Sequence, residues 1–341
     1  MTTVNKSSVL HYLQVILFTA VILYFGKTLF IPLFFGLLVA IVMHPVCKWL
    51  EIHGLNKALA ITCCLLIVGL LFAGLLALII WQLSAFGKDA PAIFQKMQEA
   101  LLNIEKTINE SAGSSIQLEN SWTEKISSGA AGFLSSIFKA TTSTLFILFI
   151  TPVYTALIMY HRKTFVQFLK LVVPLQQLPA LDKILQNTIH TYFNYIKGMV
   201  LVYLIVGVLN SIGLLALGVP HAILFGMLCA IMTIVPYIGI VLSALLPISV
   251  VWLSTGNIWY PLGVVAVFSF VQYLEANVIF PKVVGTQLHV STFAMLVAII
   301  AGGILWGVAG MVLFIPFVAI LKIISDYIEE WKPLNVLLSR K

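Results

Sequence analysis

Long apolar runs are the feature that most constrains how this chain can fold. Several of them, such as residues 58–83 and 291–322, reach the roughly 20 residues that a membrane-spanning helix needs. The runs are continuous rather than alternating, which favours helices over a membrane β-barrel. Charged residues make up 9% of the 341 residues, against roughly 25% in a soluble domain. The sequence therefore predicts an all-α, polytopic helical membrane protein.

The positions of the runs predict about eight transmembrane helices, with two polar segments between them and a polar tail after the last. The expected order is N-terminal transmembrane helices 1–3 (1–83), a polar extramembrane helical domain (84–140), helix 4 (141–161), a basic connection (162–198), a C-terminal transmembrane core of helices 5–8 (199–325) and a polar tail (326–341). With this order, more lysines and arginines lie on the side of the membrane that holds the termini than on the opposite side. The positive-inside rule then predicts that both termini, the connection and the tail are cytoplasmic and that 84–140 is periplasmic.

Prolines and glycines predict where single runs end or break. The second span is expected over 28–46, ending at Pro45, and the run 291–322 is expected to cross as one span. As a straight helix the run 222–253 would be about 48 Å long, against a hydrocarbon core of roughly 30 Å. It must tilt, overhang or break, and the residues near its middle predict the place for a break.

One stretch in the C-terminal half combines charges with apolar flanks. Glu275 is the only acidic residue within 184–325, and Lys282 is the only basic residue within 198–321. Beside these two charges the stretch carries two amides and a proline: Gln272, Asn277 and Pro281. Such groups are costly near a bilayer unless they pair, line a cavity or have a function. We therefore interpret these five residues as candidates for a substrate or ion pathway.

The sequence alone allows two locations for this stretch relative to the membrane. It could be an outer loop between the seventh and eighth spans, with Glu275 and Lys282 as a surface pair. It could instead fold back into the membrane, where Glu275 would line the pathway and bind a cation or take up a proton. The second position is the favoured prediction.

A second candidate part of the pathway is the interruption at Pro236, Tyr237 and Gly239. Proline frees a backbone carbonyl and glycine tolerates unusual backbone angles, and transporters often place substrates at such breaks. A kinked helix packed in a core is the equally weighted alternative. Asn210, in the middle of an apolar run, is also a candidate, although an interhelical hydrogen bond is the more common role.

Four glycines in the last run predict close helix packing rather than a binding site. They are Gly302, Gly303, Gly307 and Gly310, at a small-residue spacing that lets another helix approach closely.

Motifs for enzymatic chemistry are missing from the sequence. There is no zinc-protease motif, no nucleophile elbow and no complete phosphate-binding loop, and the four cysteines lack metal-site spacing. No enzyme activity, metal or cofactor is therefore predicted. The net charge of +7 comes from residues scattered at the ends of apolar runs, so a nucleic-acid partner is not expected. The expected partners are the lipid bilayer and a small-molecule or ion substrate.

Four segments of the C-terminal half, in this order, resemble the autoinducer-2 exporter (AI-2E) family of bacterial permeases. They are 218–226 (GVPHAILFG), 234–239 (IVPYIG), 274–285 (LEANVIFPKVVG) and 302–316 (GGILWGVAGMVLFIP). The N-terminal half is similar in layout. One position departs from the family pattern, because Ile240 stands where relatives often carry a proline.

The resemblance implies a bacterial inner-membrane protein that assembles as a homo-oligomer, specifically a pentamer. Members of the family are associated with export of the quorum-sensing signal autoinducer-2, and others with sodium(lithium)/proton antiport. The leading hypothesis is a secondary transporter or permease that exports a small polar solute. The alternatives are a cation/proton antiporter and a non-transporting scaffold whose domain at 84–140 binds a periplasmic partner.

Overall fold

The computed structural model describes residues 6–74, 77, 81, 147–234, 238–284 and 289–339. These residues form helices and short connections, with one isolated β-bridge between Val290 and Ser339. By length and composition, five of the described helices could cross a membrane. The prediction of an all-α polytopic membrane protein is confirmed. The predicted domain at 84–140 lies outside the described residues.

Among the described residues, thirteen α-helices follow one another along the chain. They are α1 (Lys6–Phe25), α2 (Lys27–Ile52), α3 (Lys57–Gly74), α4 (Ile147–Tyr160), α5 (Arg162–Val172), α6 (Leu178–Ala216), α7 (Ala222–Met232), α8 (Ile238–Thr255), α9 (Trp259–Leu274), α10 (Phe280–Val283), α11 (Thr292–Trp306), α12 (Val308–Tyr327) and α13 (Lys332–Leu338). The chain divides into two compact units. Unit 1 comprises Met1–Ile67, Ile147–Lys197 and Thr286–Lys341, and unit 2 comprises Val68–Phe146 and Gly198–Gly285.

In unit 1, α2 continues beyond its predicted end. It runs through Pro45 to Ile52, so the prediction that this span ends at Pro45 is wrong. A proline inside a helix costs about 3 kcal/mol. The additional turns bury Cys47 completely against Cys64 of α3 and Met159 of α4. Burial of this contact offsets the cost of the proline.

The run 291–322 forms a helical hairpin in unit 1 rather than the single span that the sequence predicts. α11 ends at Trp306, α12 begins at Val308, and Gly307 between them has φ 60° and ψ −140°, which only glycine adopts readily. Gly302 and Gly310 face each other so closely that a Cβ on either would overlap the backbone of the other. The glycines thus bring together two parts of one run, where the sequence indicated only an unspecified neighbouring helix.

The tail packs against the end of α12 in unit 1. Leu338 of α13 is buried with Val290, Ala294 and Ala319 in one hydrophobic cluster. Asn335 donates a hydrogen bond to Asp326 at 2.6 Å. These contacts hold α13 to the hairpin of α11 and α12.

In unit 2, the run 222–253 breaks into α7 and α8. Ala222 at the start of α7 and Val251 at the end of α8 share one hydrophobic cluster, so the two helices form an antiparallel hairpin. α7 has 11 residues, which is about 16 Å and too short to cross a bilayer. Of the three possibilities left by the sequence, the structure shows the break, at the predicted place. Residues 235–237 lie outside the described ranges.

The stretch after α9 is a helix and not a loop. A π-helical turn at Glu275–Ile279 joins α9 to α10, and the Phe280 N–H bonds to the Glu275 carbonyl five residues earlier. Up to Val283 the chain therefore forms neither a loop nor a reversal of direction, and Trp259–Val283 is one helix long and apolar enough to cross a membrane. The ring of Pro281 would clash with the carbonyl four residues before it in a regular helix, and the wider turn gives it room.

Candidate functional site

Four polar side chains from four helices are buried together in unit 2. They are Asn210 on α6, Cys229 on α7, Ser243 on α8 and Glu275 after α9, with 2%, 2%, 1% and 8% of their surfaces exposed. Cys229 is the common neighbour. Its Sγ lies 3.5 Å from the Asn210 amide nitrogen, next to the Ser243 hydroxyl and within electrostatic range of the Glu275 carboxylate. We refer to these four residues as the polar cluster.

Two glycines set the register that forms the polar cluster. Gly207 of α6 lies against Ala230 of α7, where an added Cβ would be 3.1 Å from the Ala230 Cβ, and Gly226 of α7 lies against Ser211 of α6. Because the two helices run antiparallel, Asn210 and Cys229 stand between these two contacts. Because the glycines allow the two backbones to approach, these two side chains meet in the buried interface.

The hydroxyl groups around the polar cluster bond within their own helices. Ser243 donates to the Ile240 carbonyl at 2.9 Å, and Ser211 donates to the Gly207 carbonyl at 2.7 Å. Such bonds to a preceding carbonyl satisfy a hydroxyl without help from another helix. The hydroxyls therefore need no bound solute.

Two acceptor oxygens in the polar cluster are unsatisfied. Asn210 Oδ1 and Glu275 Oε2 are both buried and have no hydrogen-bond partner among the described residues. An unpaired buried carboxylate is one of the more costly groups that a protein can retain. These oxygens can accept a hydrogen bond from a solute hydroxyl or amine, bind a proton or contact a cation. Within the described ranges, no group of three or more His, Cys, Asp and Glu side chains could hold a metal ion.

The structure separates Glu275 from Lys282. Seven residues make two turns of a regular α-helix, which would put both side chains on one face. The π-helical turn between them changes this register, so that Glu275 is buried while Lys282 is exposed. No ion pair joins them among the contacts that the structure describes.

The remaining predicted pathway residues are not members of the polar cluster. Gln272 is half-buried, Pro281 is exposed, and the exposed Asn277 donates to the Tyr273 carbonyl at 2.9 Å. Gly239 is buried beside the backbone of Met232, where a side chain would not fit. Pro236 and Tyr237 lie outside the described residues. Of the predicted set, the polar cluster thus contains Asn210 and Glu275.

Cys229 and Ser243 are the members of the polar cluster that sequence reasoning missed. Cysteine and serine are common in transmembrane helices, and nothing in their spacing distinguishes these two. Gly207 and Gly226 are the signal that could have identified Cys229, because small residues mark the faces along which α6 and α7 approach.

A large cavity lies in unit 1. Its volume is about 820 Å³, and its walls come from α2, α4, α5 and α6, among them His44, Met159, Phe168 and Thr188. None of the predicted site residues lines it. We refer to it as the unit 1 cavity.

Apolar helices of bilayer length around a buried, incompletely satisfied polar cluster define a class of protein. Polar groups in such helices mark substrate or ion pathways, and interrupted helices such as α7 and α8 are typical of secondary transporters. The fold and the site are those of a multi-pass membrane transport protein.

The chain belongs to the AI-2E transporter family, whose model matches residues 13–330. It is 25% identical over 308 residues to the candidate transport protein YrrI of Bacillus subtilis, covering 87% of this chain and 86% of the relative. It is 24% identical over 311 residues to the candidate transport protein YhhT of Escherichia coli, covering 90% and 87%. It is also 22% identical over 318 residues to the AI-2 transport protein TqsA of Escherichia coli, covering 92% and 90%.

Proposed function

We propose that this protein is a secondary transporter of the bacterial inner membrane that exports a small polar solute past the polar cluster. Autoinducer-2 is the candidate solute, supported by the similarity to the AI-2 transport protein TqsA. The observation that carries the proposal is the buried Glu275 carboxylate, whose Oε2 has no partner among the described residues. A carboxylate kept in this state inside a transmembrane helix indicates a functional role.

The polar cluster suits a solute that donates hydrogen bonds. Asn210 Oδ1 and Glu275 Oε2 are both acceptors, so hydroxyl groups of the solute would satisfy them. In the described structure the polar cluster is closed, because each of its four members has at most 8% of its surface exposed. Passage of a solute therefore requires the surrounding helices to separate. The short hairpin of α7 and α8 is the element proposed to move.

Sodium(lithium)/proton antiport is the second candidate function. Glu275 could alternate between a proton and a cation, with Asn210 Oδ1 as a further oxygen ligand. A single carboxylate is a small set of ligands for this task, which places antiport second. The third hypothesis, a non-transporting scaffold, gains no support from membership in a family of transport proteins.

The proposed location, topology and oligomeric state follow from the family and from the distribution of charged residues. Inner-membrane location with both termini and the basic connection cytoplasmic agrees with the distribution of lysine and arginine. A homo-oligomer, with the pentamer as the specific number, is proposed from the resemblance to the family. The lipid bilayer is its surrounding medium, and no nucleic acid takes part.

Solute flux into proteoliposomes tests this proposal. Purified protein is reconstituted, and uptake from a panel of small polar solutes that includes autoinducer-2 is measured under imposed proton and sodium gradients. We expect autoinducer-2 flux above that of protein-free liposomes. Proton movement driven by sodium without any solute flux would establish antiport instead. Absence of both activities would leave the scaffold as the better hypothesis.

A further inference from the structure

Helix α5 (Arg162–Val172) has an apolar face that the described protein leaves uncovered. Phe165, Phe168 and Leu171 are 52%, 61% and 87% exposed, and they lie on one side of the helix. With 11 residues the helix is about 16 Å long, too short to cross a bilayer. A short helix with an exposed apolar face is typical of segments that lie in the membrane interface.

The opposite side of α5 is cationic. Lys163 and Lys170 lie there, about two turns apart, and Arg162 precedes them. Arg162 pairs with Glu51, and Lys170 pairs with Asp182 at 2.9 Å. Lys163 forms no ion pair in the part of the chain that the structure describes. This leaves it available for an anionic group.

The unit 1 cavity adjoins both sides of α5. Arg162, Lys163 and Lys170 line it together with Phe168 and Leu169, and no acidic residue is among its lining residues. Its other walls are apolar side chains of α2, α4 and α6 such as Leu33, Leu37 and Ile158. At about 820 Å³ its volume is in the range of small-molecule sites. The cavity thus combines an apolar interior with a cationic edge.

We propose that α5 and the unit 1 cavity bind an anionic phospholipid of the surrounding membrane. The acyl chain occupies the apolar interior of the cavity, and the phosphate lies at Lys163. Phe165, Phe168 and Leu171 then enter the acyl region of the same leaflet and hold α5 in the interface.

Charge favours a lipid over a second copy of the chain as the occupant. Lysine is depleted in protein–protein interfaces, whereas lysines beside an apolar helix face are the usual mark of binding to anionic lipid. A second copy of α5 could not supply a counter-ion for Lys163, because the helix contains no acidic residue. An anionic headgroup supplies that counter-ion.

Binding of phosphatidylglycerol and of phosphatidylcholine to the full-length protein in detergent micelles tests the proposal. Native mass spectrometry counts the bound lipids, and thermal unfolding follows their effect on stability. We expect phosphatidylglycerol to bind more tightly and to stabilise more. Lys163→Gln should weaken phosphatidylglycerol binding about fivefold, the effect of removing one cation near anionic lipid.

Lys183→Gln is the matched control. Lys183 is exposed on α6 and does not line the cavity, so the same loss of charge there should leave lipid binding unchanged. Equal binding of the two lipids, or an equal loss in both variants, would overturn the proposal. Inorganic phosphate alone should not stabilise the protein. Full stabilisation by phosphate would show a site for a free anion instead.

Leu171→Ser tests the apolar part of the proposal. Because Leu171 is 87% exposed, its replacement should leave the fold intact and reduce phosphatidylglycerol binding. If this variant instead dissociates an oligomer and binds the lipid as the parent does, the face is a contact between protomers. That result would also overturn the proposal.

Discussion

The Glu275→Gln variant should reduce solute flux to the level of protein-free liposomes while the protein remains folded. Glutamine keeps the shape of the side chain and removes its charge. Since Oε2 has no partner among the described residues, the substitution breaks no described hydrogen bond. It also removes a buried carboxylate, so stability should be unchanged or higher. Flux into proteoliposomes and thermal unfolding in detergent measure the two effects separately.

Glu330→Gln is the control for this prediction. Glu330 is exposed in the turn before α13, so its replacement removes the same charge without touching the polar cluster. Its flux should equal that of the parent. Normal flux in Glu275→Gln would exclude the role proposed for this carboxylate, for the exporter and the antiporter alike.

The Gly302→Val variant should be strongly destabilised. A Cβ on Gly302 would overlap the backbone of Gly310, and a backbone cannot move aside as a flexible side chain can. Overpacking of this kind costs about 3 kcal/mol. α11 and α12 would have to move apart. The hydrogen bond that the buried Trp306 donates to the Leu23 carbonyl at 2.9 Å would then be lost as well. Thermal unfolding in detergent should show a clearly lower midpoint.

Gly69→Ala provides the comparison. Gly69 lies in α3, and a Cβ there would meet no atom within 4 Å among the described residues. Alanine in a helix is favoured over glycine, so this variant should be as stable as the parent or slightly more stable. A Gly302→Val protein that unfolds at the same temperature as Gly69→Ala would contradict the close approach of Gly302 and Gly310.

The sequence was sufficient to predict the class of fold and one of its breaks. The length of an apolar run decides whether a helix can cross a bilayer, and this length can be read directly from the order of the residues. The break between α7 and α8 was also predictable, because 222–253 is too long for one straight span and carries a proline and a glycine near its middle. These features depend on local residue types only.

Helix pairing was not predictable from the sequence. The turn at Gly307 requires a positive φ, but glycines at a four-residue spacing are as common in uninterrupted helices that pack against a neighbour. The π-helical turn at Glu275–Ile279 depends on one shifted hydrogen bond. Pro281 is its only local sign in the sequence, which therefore predicts either a loop or a fold-back.

The candidate site was predictable only where a residue is chemically unusual in its surroundings. Glu275 and Asn210 stand out against apolar runs and are buried in the polar cluster. Cys229 and Ser243 do not stand out, because their role depends on which helices meet. Helix α5 was missed for another reason: its lysines suggested a polar connection, although its apolar residues recur at helical spacing.

Chemical modification of Cys229 tests most directly whether solute passes the polar cluster. A chain in which Cys47, Cys63 and Cys64 are replaced by alanine keeps Cys229 as its single thiol. During transport in liposomes, a water-soluble methanethiosulfonate should react with this thiol, and flux should stop in proportion to the modified fraction. The same reagent should not affect a chain that also carries Cys229→Ala. Unchanged flux after complete modification of Cys229 would contradict the proposed pathway.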